Sequence, residues 1–96
     1  MRIRLSLLGI LAEYTGFSNI EMEMKGGSTI KDLLNEVGER FGTVFPPQVW
    51  DPMQRAFNPT IGVFLDLKDV EDENTPLSEG SEVILLPMIA GGLDDL

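Results

Sequence analysis

Alternation dominates the first part of the chain. Ile3, Leu5 and Leu7 are separated by Arg4 and Ser6, with Arg2 in front. That is the period of two expected of a strand with one buried face, and it predicts a strand over 2–8. Ile20-Glu21-Met22-Glu23-Met24 alternates in the same way. It predicts a second strand, antiparallel to the first because the two are close in sequence. Between them, 9–17 reads as a connection containing Gly9 and Gly16, and Gly26-Gly27 turns the chain afterwards. The period then changes. Ile30, Leu33, Leu34, Val37 and Phe41 recur at helical spacing, with Lys31, Asn35, Glu36, Glu39 and Arg40 on the other face. Thr29 suits the N-cap, and Asp32 three residues later makes a capping-box-like start with negative charge in the first turn. Gly42 is the expected left-handed stop. Gly38, inside the helix, costs up to about 1 kcal/mol relative to alanine, and a close approach of the helix to the sheet is the expected compensation.

The next stretch is irregular. Pro46-Pro47, Pro52 and Pro59 interrupt any long element. Val44, Phe45, Val49, Trp50, Met53 and Phe57 predict a short turn of helix folded over the edge of the core. An exposed aromatic docking surface is the alternative. Ile61, Val63 and Leu65 alternate as a third strand, with Phe64 facing the other way, and Lys68-Asp69-Val70 reads as a short fourth. The carboxylates Asp66, Asp69, Glu71, Asp72 and Glu73 lack the loop glycine and distal bidentate glutamate of an EF-hand, so 71–74 reads as a solvated loop. Leu77-Ser78-Glu79-Gly80 is a tight turn into the last strand, Val83-Ile84-Leu85-Leu86. That run is apolar on both faces, as in a central strand. One helix covers only one face of a sheet. If Val83 and Leu85 point to the helix, Ile84 and Leu86 remain on the open face, joined by Leu8. An exposed apolar patch of this kind marks a partner surface, and cover by 43–59 or by a second copy is the alternative.

Composition narrows the chemistry. The chain has 96 residues, one domain's worth, and carries neither cysteine nor histidine. Disulfides, thiolate nucleophiles, iron–sulfur clusters and cysteine-ligated zinc are excluded, and the commonest general base is missing. The net charge of −9 opposes binding to nucleic acid or to an anionic membrane and favours docking on a basic partner. The apolar run Leu5–Ala12 after Arg2 and Arg4 has a superficial likeness to a signal peptide. The arginines alternate with Ile3, Leu5 and Leu7, however, so the strand reading stands and a cytoplasmic protein is expected. No stretch is long enough for a transmembrane helix.

The element order β-β-α-(irregular)-β-(β)-β points to an α+β protein of the ubiquitin-like β-grasp kind. Such a fold has a mixed four- to five-stranded sheet, one main helix packed on one face, and the first and last strands central and parallel. Residues 1–90 would form this single domain and 91–96 a flexible C-terminal tail. Four pieces then carry a resemblance: 7–16 (Leu-Leu-Gly-Ile-Leu-Ala-Glu-Tyr-Thr-Gly), 28–34 (Ser-Thr-Ile-Lys-Asp-Leu-Leu), 75–83 (Thr-Pro-Leu-Ser-Glu-Gly-Ser-Glu-Val) and 86–92 (Leu-Pro-Met-Ile-Ala-Gly-Gly). In this order the chain resembles the MoaD/ThiS ubiquitin-like sulfur-carrier proteins, the MoaD side in particular. The stretch 43–74 matches least.

That resemblance implies a carrier and not an enzyme. The carboxylate of a terminal Gly-Gly, here Gly91-Gly92, is activated by a ubiquitin-activating-type adenylating enzyme that uses ATP. It is then converted to a thiocarboxylate for cofactor biosynthesis, molybdopterin-type in the MoaD case. The carrier itself holds no cofactor or metal. Leu8, Ile84, Leu86, Met88 and Ile89 would form the docking surface, and a large synthase subunit is a further partner. Some relatives are instead conjugated to lysines as protein modifiers, and a non-catalytic binding module is a further alternative. This sequence departs from the pattern in one place: Leu93-Asp94-Asp95-Leu96 follow Gly92. Either a processing protease removes these four residues or this copy is not a carrier; activation at Leu96 itself is a third reading, which its side chain and the two aspartates fit poorly.

Overall fold

The computed structural model describes residues 1–88. Nine elements follow in order: β1 (Arg2–Leu7), α1 (Ile10–Thr15), β2 (Asn19–Glu23), α2 (Ile30–Phe41), β3 (Trp50–Asp51), β4 (Ala56–Phe57), β5 (Ile61–Leu65), β6 (Lys68–Asp69) and β7 (Glu82–Pro87). Five strands make one mixed sheet in the order β2-β1-β7-β5-β6. β1 and β7 run parallel, with Arg4 opposite Glu82 and Leu7 opposite Leu85, and the other pairs are antiparallel. This is the ubiquitin-like β-grasp. The crossover joining the parallel pair is carried by everything between β1 and β7, α2 included.

The alternation in β1 and β7 decides which face is covered. Ile3, Leu5, Leu7, Val83 and Leu85 are essentially inaccessible to solvent, as is Met22 of β2. They meet the apolar face of α2: Ile30, Leu33, Leu34, Val37 and Phe41 are all buried. Each such side chain removed from water stabilises the fold by about 1.5–3 kcal/mol. The helix starts as its sequence predicts. The Thr29 hydroxyl accepts from the Asp32 amide at 3.3 Å, and the Asp32 carboxylate accepts from the Thr29 amide at 2.9 Å. Thr29→Ala should therefore cost about 0.5–2 kcal/mol, read as a lower denaturant midpoint with an unchanged slope.

Several expectations are corrected. Residues 9–17 hold a short helix, α1, closed by left-handed Gly16, and they bury Leu11 completely. Gly42 is right-handed, not a left-handed stop. The chain instead tightens beyond it, with the Val44 and Phe45 amides donating to the Phe41 carbonyl. The 43–59 stretch forms a two-stranded hairpin, β3–β4, rather than a turn of helix. Its aromatic residues point inward. Trp50 and Phe45 are buried, and Trp50 meets Phe57 edge-on at 4.9 Å between ring centres. The reading of this segment as an exposed aromatic docking surface therefore fails.

Trp50 also supplies the reason for Gly38. A β-carbon at position 38 would collide with three atoms of the indole's six-membered ring, and one at 42 would collide with the Gly38 carbonyl oxygen and stand 3.1 Å from the indole Nε1. The close approach comes from the hairpin, not from the sheet. An exposed ion pair between Glu39 and Arg55 ties the same hairpin to the outer face of α2.

Candidate functional site

The face of the sheet opposite α2 is uncovered among the described residues, and register decides what lies on it. In β7 the side chains of Glu82, Ile84 and Leu86 alternate away from buried Val83 and Leu85. Ile84 stands opposite Phe64 of β5 on one side and Ser6 of β1 on the other. Leu86 stands opposite Gly62. Leu8 follows the last paired residue of β1 and donates its amide to the Leu85 carbonyl at 3.0 Å, so the parallel ladder reaches the same end. Met88 follows β7, donates its amide to the Thr60 carbonyl at 2.6 Å, and is 54% exposed.

Leu8, Ile84, Leu86 and Met88, expected from sequence as a docking surface, are thus brought to one end of one face. Ile84 and Leu86 are half-buried and Leu8 is exposed. Sequence reasoning missed Phe64, which packs beside Ile84 at the centre of the patch. Its outward direction was legible, but the adjacency of β5 and β7 was not. It also missed Gly62, the open floor beneath Met88. Ile89, Gly91 and Gly92 lie outside the described residues, as does the expected boundary near residue 90.

The other end of the same face is charged. Arg4 lies opposite Glu82 on β7 and Glu21 on β2, and Arg2 lies opposite Glu23. Arg2 and Glu21 approach only to 3.9 Å with both side chains largely exposed, so their attraction is worth little in stability. The face therefore has a charged end beside an apolar end. Beside the end of β7 is an apolar groove. Ile10 and Tyr14 of α1, Pro46, Val49, Ile61 and Pro87 line it, without any carboxylate, lysine or arginine. It offers apolar contact with the Tyr14 hydroxyl and a few neutral polar groups at its edge. Among the described residues no cluster of carboxylates is placed to hold a metal ion, and no helix is long and apolar enough to cross a membrane.

The pattern of helix, sheet and open face extends into sequence similarity. The model of the ThiS family matches residues 5–92, from the second buried position of β1 to the second glycine of the pair. The chain belongs to the ThiS family. No curated protein matches this ThiS-family chain in sequence.

Solved structures agree on the fold. Small archaeal modifier protein 1 of Haloferax volcanii is similar at a TM-score of 0.76 and 19% identity, over 90% of this chain and 95% of that one. A putative molybdopterin converting factor subunit 1 from Pyrococcus furiosus has a TM-score of 0.73 and 18% identity, over 91% and 97%. A chain of the complex of subunits 1 and 2 of the molybdopterin-converting factor from Helicobacter pylori has 0.61 and 20%, over 91% and 93%. At these identities the likeness concerns the ThiS-family fold.

Proposed function

We propose that this chain is the precursor of a small sulfur carrier, and that its working end is Gly92 after removal of Leu93–Leu96. One observation carries the reading. The family match runs to Gly92, through the Gly91-Gly92 pair, and stops there, four residues short of Leu96. The chemistry is that of an activated carboxylate. The Gly92 carboxylate attacks the α-phosphate of ATP, pyrophosphate leaves, and an acyl adenylate forms on the partner enzyme. Sulfide-level sulfur (HS⁻) from a donor then attacks the acyl carbon and displaces AMP, which leaves the thiocarboxylate. The chain supplies the acyl group, a thin glycine backbone and a docking face, while the adenylating enzyme supplies the catalysis. Absence of a β-carbon at 91 and 92 suits entry into a narrow channel.

The apolar patch of Leu8, Phe64, Ile84, Leu86 and Met88 docks on that enzyme, and the acidic surface speeds the encounter with a basic rim. The site of action is the cytoplasm. Relatives in fold named as molybdopterin converting factor subunit 1 favour molybdopterin as the destination of the sulfur, with a synthase large subunit as second partner. Likeness to a small archaeal modifier protein favours a second reading, conjugation of Gly92 to lysines of other proteins.

Intact-mass analysis of the protein from its native cells separates these readings. A form ending at Gly92, heavier by the exchange of one oxygen for sulfur, is the expected result. Gly92 in isopeptide linkage to lysines selects the modifier role. Only chains continuing to Leu96 would exclude both and leave a binding module. The docking face has its own test. Ile84→Lys should weaken binding of the adenylating enzyme by about 30-fold or more, while the denaturant midpoint moves little because the side chain is already half in solvent. Titration calorimetry with the two purified proteins measures this.

A further inference from the structure

We propose that Gly62 is a positioning residue, which seats Met88 and so fixes where the C-terminal segment leaves the sheet. The proposal rests on the carrier reading for its use, but not for its geometry. Gly62 lies inside β5, where glycine gives up side-chain packing and frees the backbone of the unfolded chain. Its conformation does not demand glycine, since the left-handed glycines are Gly9, Gly16, Gly27 and Gly80. The space above it is taken by side chains. A β-carbon at 62 would stand 2.9 Å from Cγ and 3.2 Å from Sδ of Met88, and 3.2 Å from Cε1 of Phe64.

The Met88 side chain therefore lies across the bare backbone of Gly62, next to the Phe64 ring. The flexible, polarisable thioether suits such a site. The Met88 amide meanwhile holds the Thr60 carbonyl, one position beyond the last paired residues Ile61 and Pro87. Met88 is thus held by backbone on one side and by side chain on the other.

The consequence is an upper limit on reach. From Met88 to Gly92 the chain spans at most about 14 Å, so Gly92 can reach only an active site lying that close to the edge of the docking face. Releasing Met88 adds slack behind the reacting carboxylate. Slack lowers the fraction of time in which the carboxylate is in line with ATP, which reduces kcat more than KM.

The test uses the chain ended at Gly92, with Gly62→Ala alone and combined with Met88→Ala. In amide hydrogen exchange by NMR, the Met88 amide should be protected in the parent. It should exchange about tenfold faster in Gly62→Ala. It should recover in the double variant, which has no Cγ or Sδ to collide. The Leu85 amide should stay protected in all three, showing an intact sheet. In ATP–pyrophosphate exchange with the adenylating enzyme of the same source genome, kcat should fall about tenfold in Gly62→Ala with KM nearly constant, while the double variant, which also removes Met88 from the docking patch, is read by amide exchange alone.

Parent-like exchange in Gly62→Ala, failure of the double variant to recover, or lost protection with kcat unchanged would each overturn the positioning role. If the amides behave as expected and no version of the chain is adenylated, the carrier reading falls while the seat for Met88 stands.

Discussion

Ending the chain at Gly92 is expected to create a substrate for adenylation where the chain continuing to Leu96 is inert. The reason is chemical. In the longer chain the Gly92 carbonyl belongs to a peptide bond and has no oxyanion to attack ATP. Pyrophosphate exchange should rise from background to a saturable rate on exposure of the Gly92 carboxylate, with the docking face the same in both. Within the ended chain, Gly92→Val should lower kcat by about a hundredfold, the scale on which misplacing a reacting group by about an ångström acts. Equal exchange by the two lengths of chain would place the reaction elsewhere and remove the need for processing.

Trp50→Ala is expected to be among the most damaging single changes to stability, at about 3–5 kcal/mol, a large part of the 5–15 kcal/mol typical of a domain. The indole closes one side of the core and packs on Phe57, against the surface of α2 bared by Gly38 and Gly42. A double-mutant cycle tests this assignment with a change of sign. Gly38→Ala should destabilise the parent by about 1–3 kcal/mol, because overpacking outweighs the gain in helix propensity of about 1 kcal/mol. In the Trp50→Ala background the obstacle is gone, and the same substitution should stabilise by up to about 1 kcal/mol. Urea unfolding of the four proteins measures each corner of the cycle. Additive effects would show that the glycine has another purpose.

These two glycines illustrate what sequence could and could not reveal. Regular alternation and helical spacing are local, so β1, β2, α2, β5 and β7 could be read from neighbouring residues, and the capping box from Thr29 and Asp32 alone. The occupant of the space beside Gly38 is Trp50, twelve positions on and beyond the irregular turns that precede β3, and no local period encodes that contact. The six residues of α1 span less than two turns between two glycines, too few for a helical repeat to declare itself.

The same division applies to the docking face. Ile84, Leu86 and Leu8 followed from alternation and from the shortage of helices. Phe64 and Gly62 joined the site only through the pairing of β5 with β7, a long-range fact. Gly91 and Gly92 drew their meaning from motif order and family membership.

The central position of β7 has a mechanical consequence. This strand is bonded along its length to β1 on one side and to β5 on the other. Traction on the chain beyond Met88 draws β7 lengthwise between its neighbours. The hydrogen bonds of both ladders then resist together, instead of yielding one after another as in a hairpin peeled from its open end. An edge strand as short as β6, with two residues and a single neighbour, would be stripped away by the same pull. A machine that grips this end and tugs should therefore move the whole domain before it unravels the sheet.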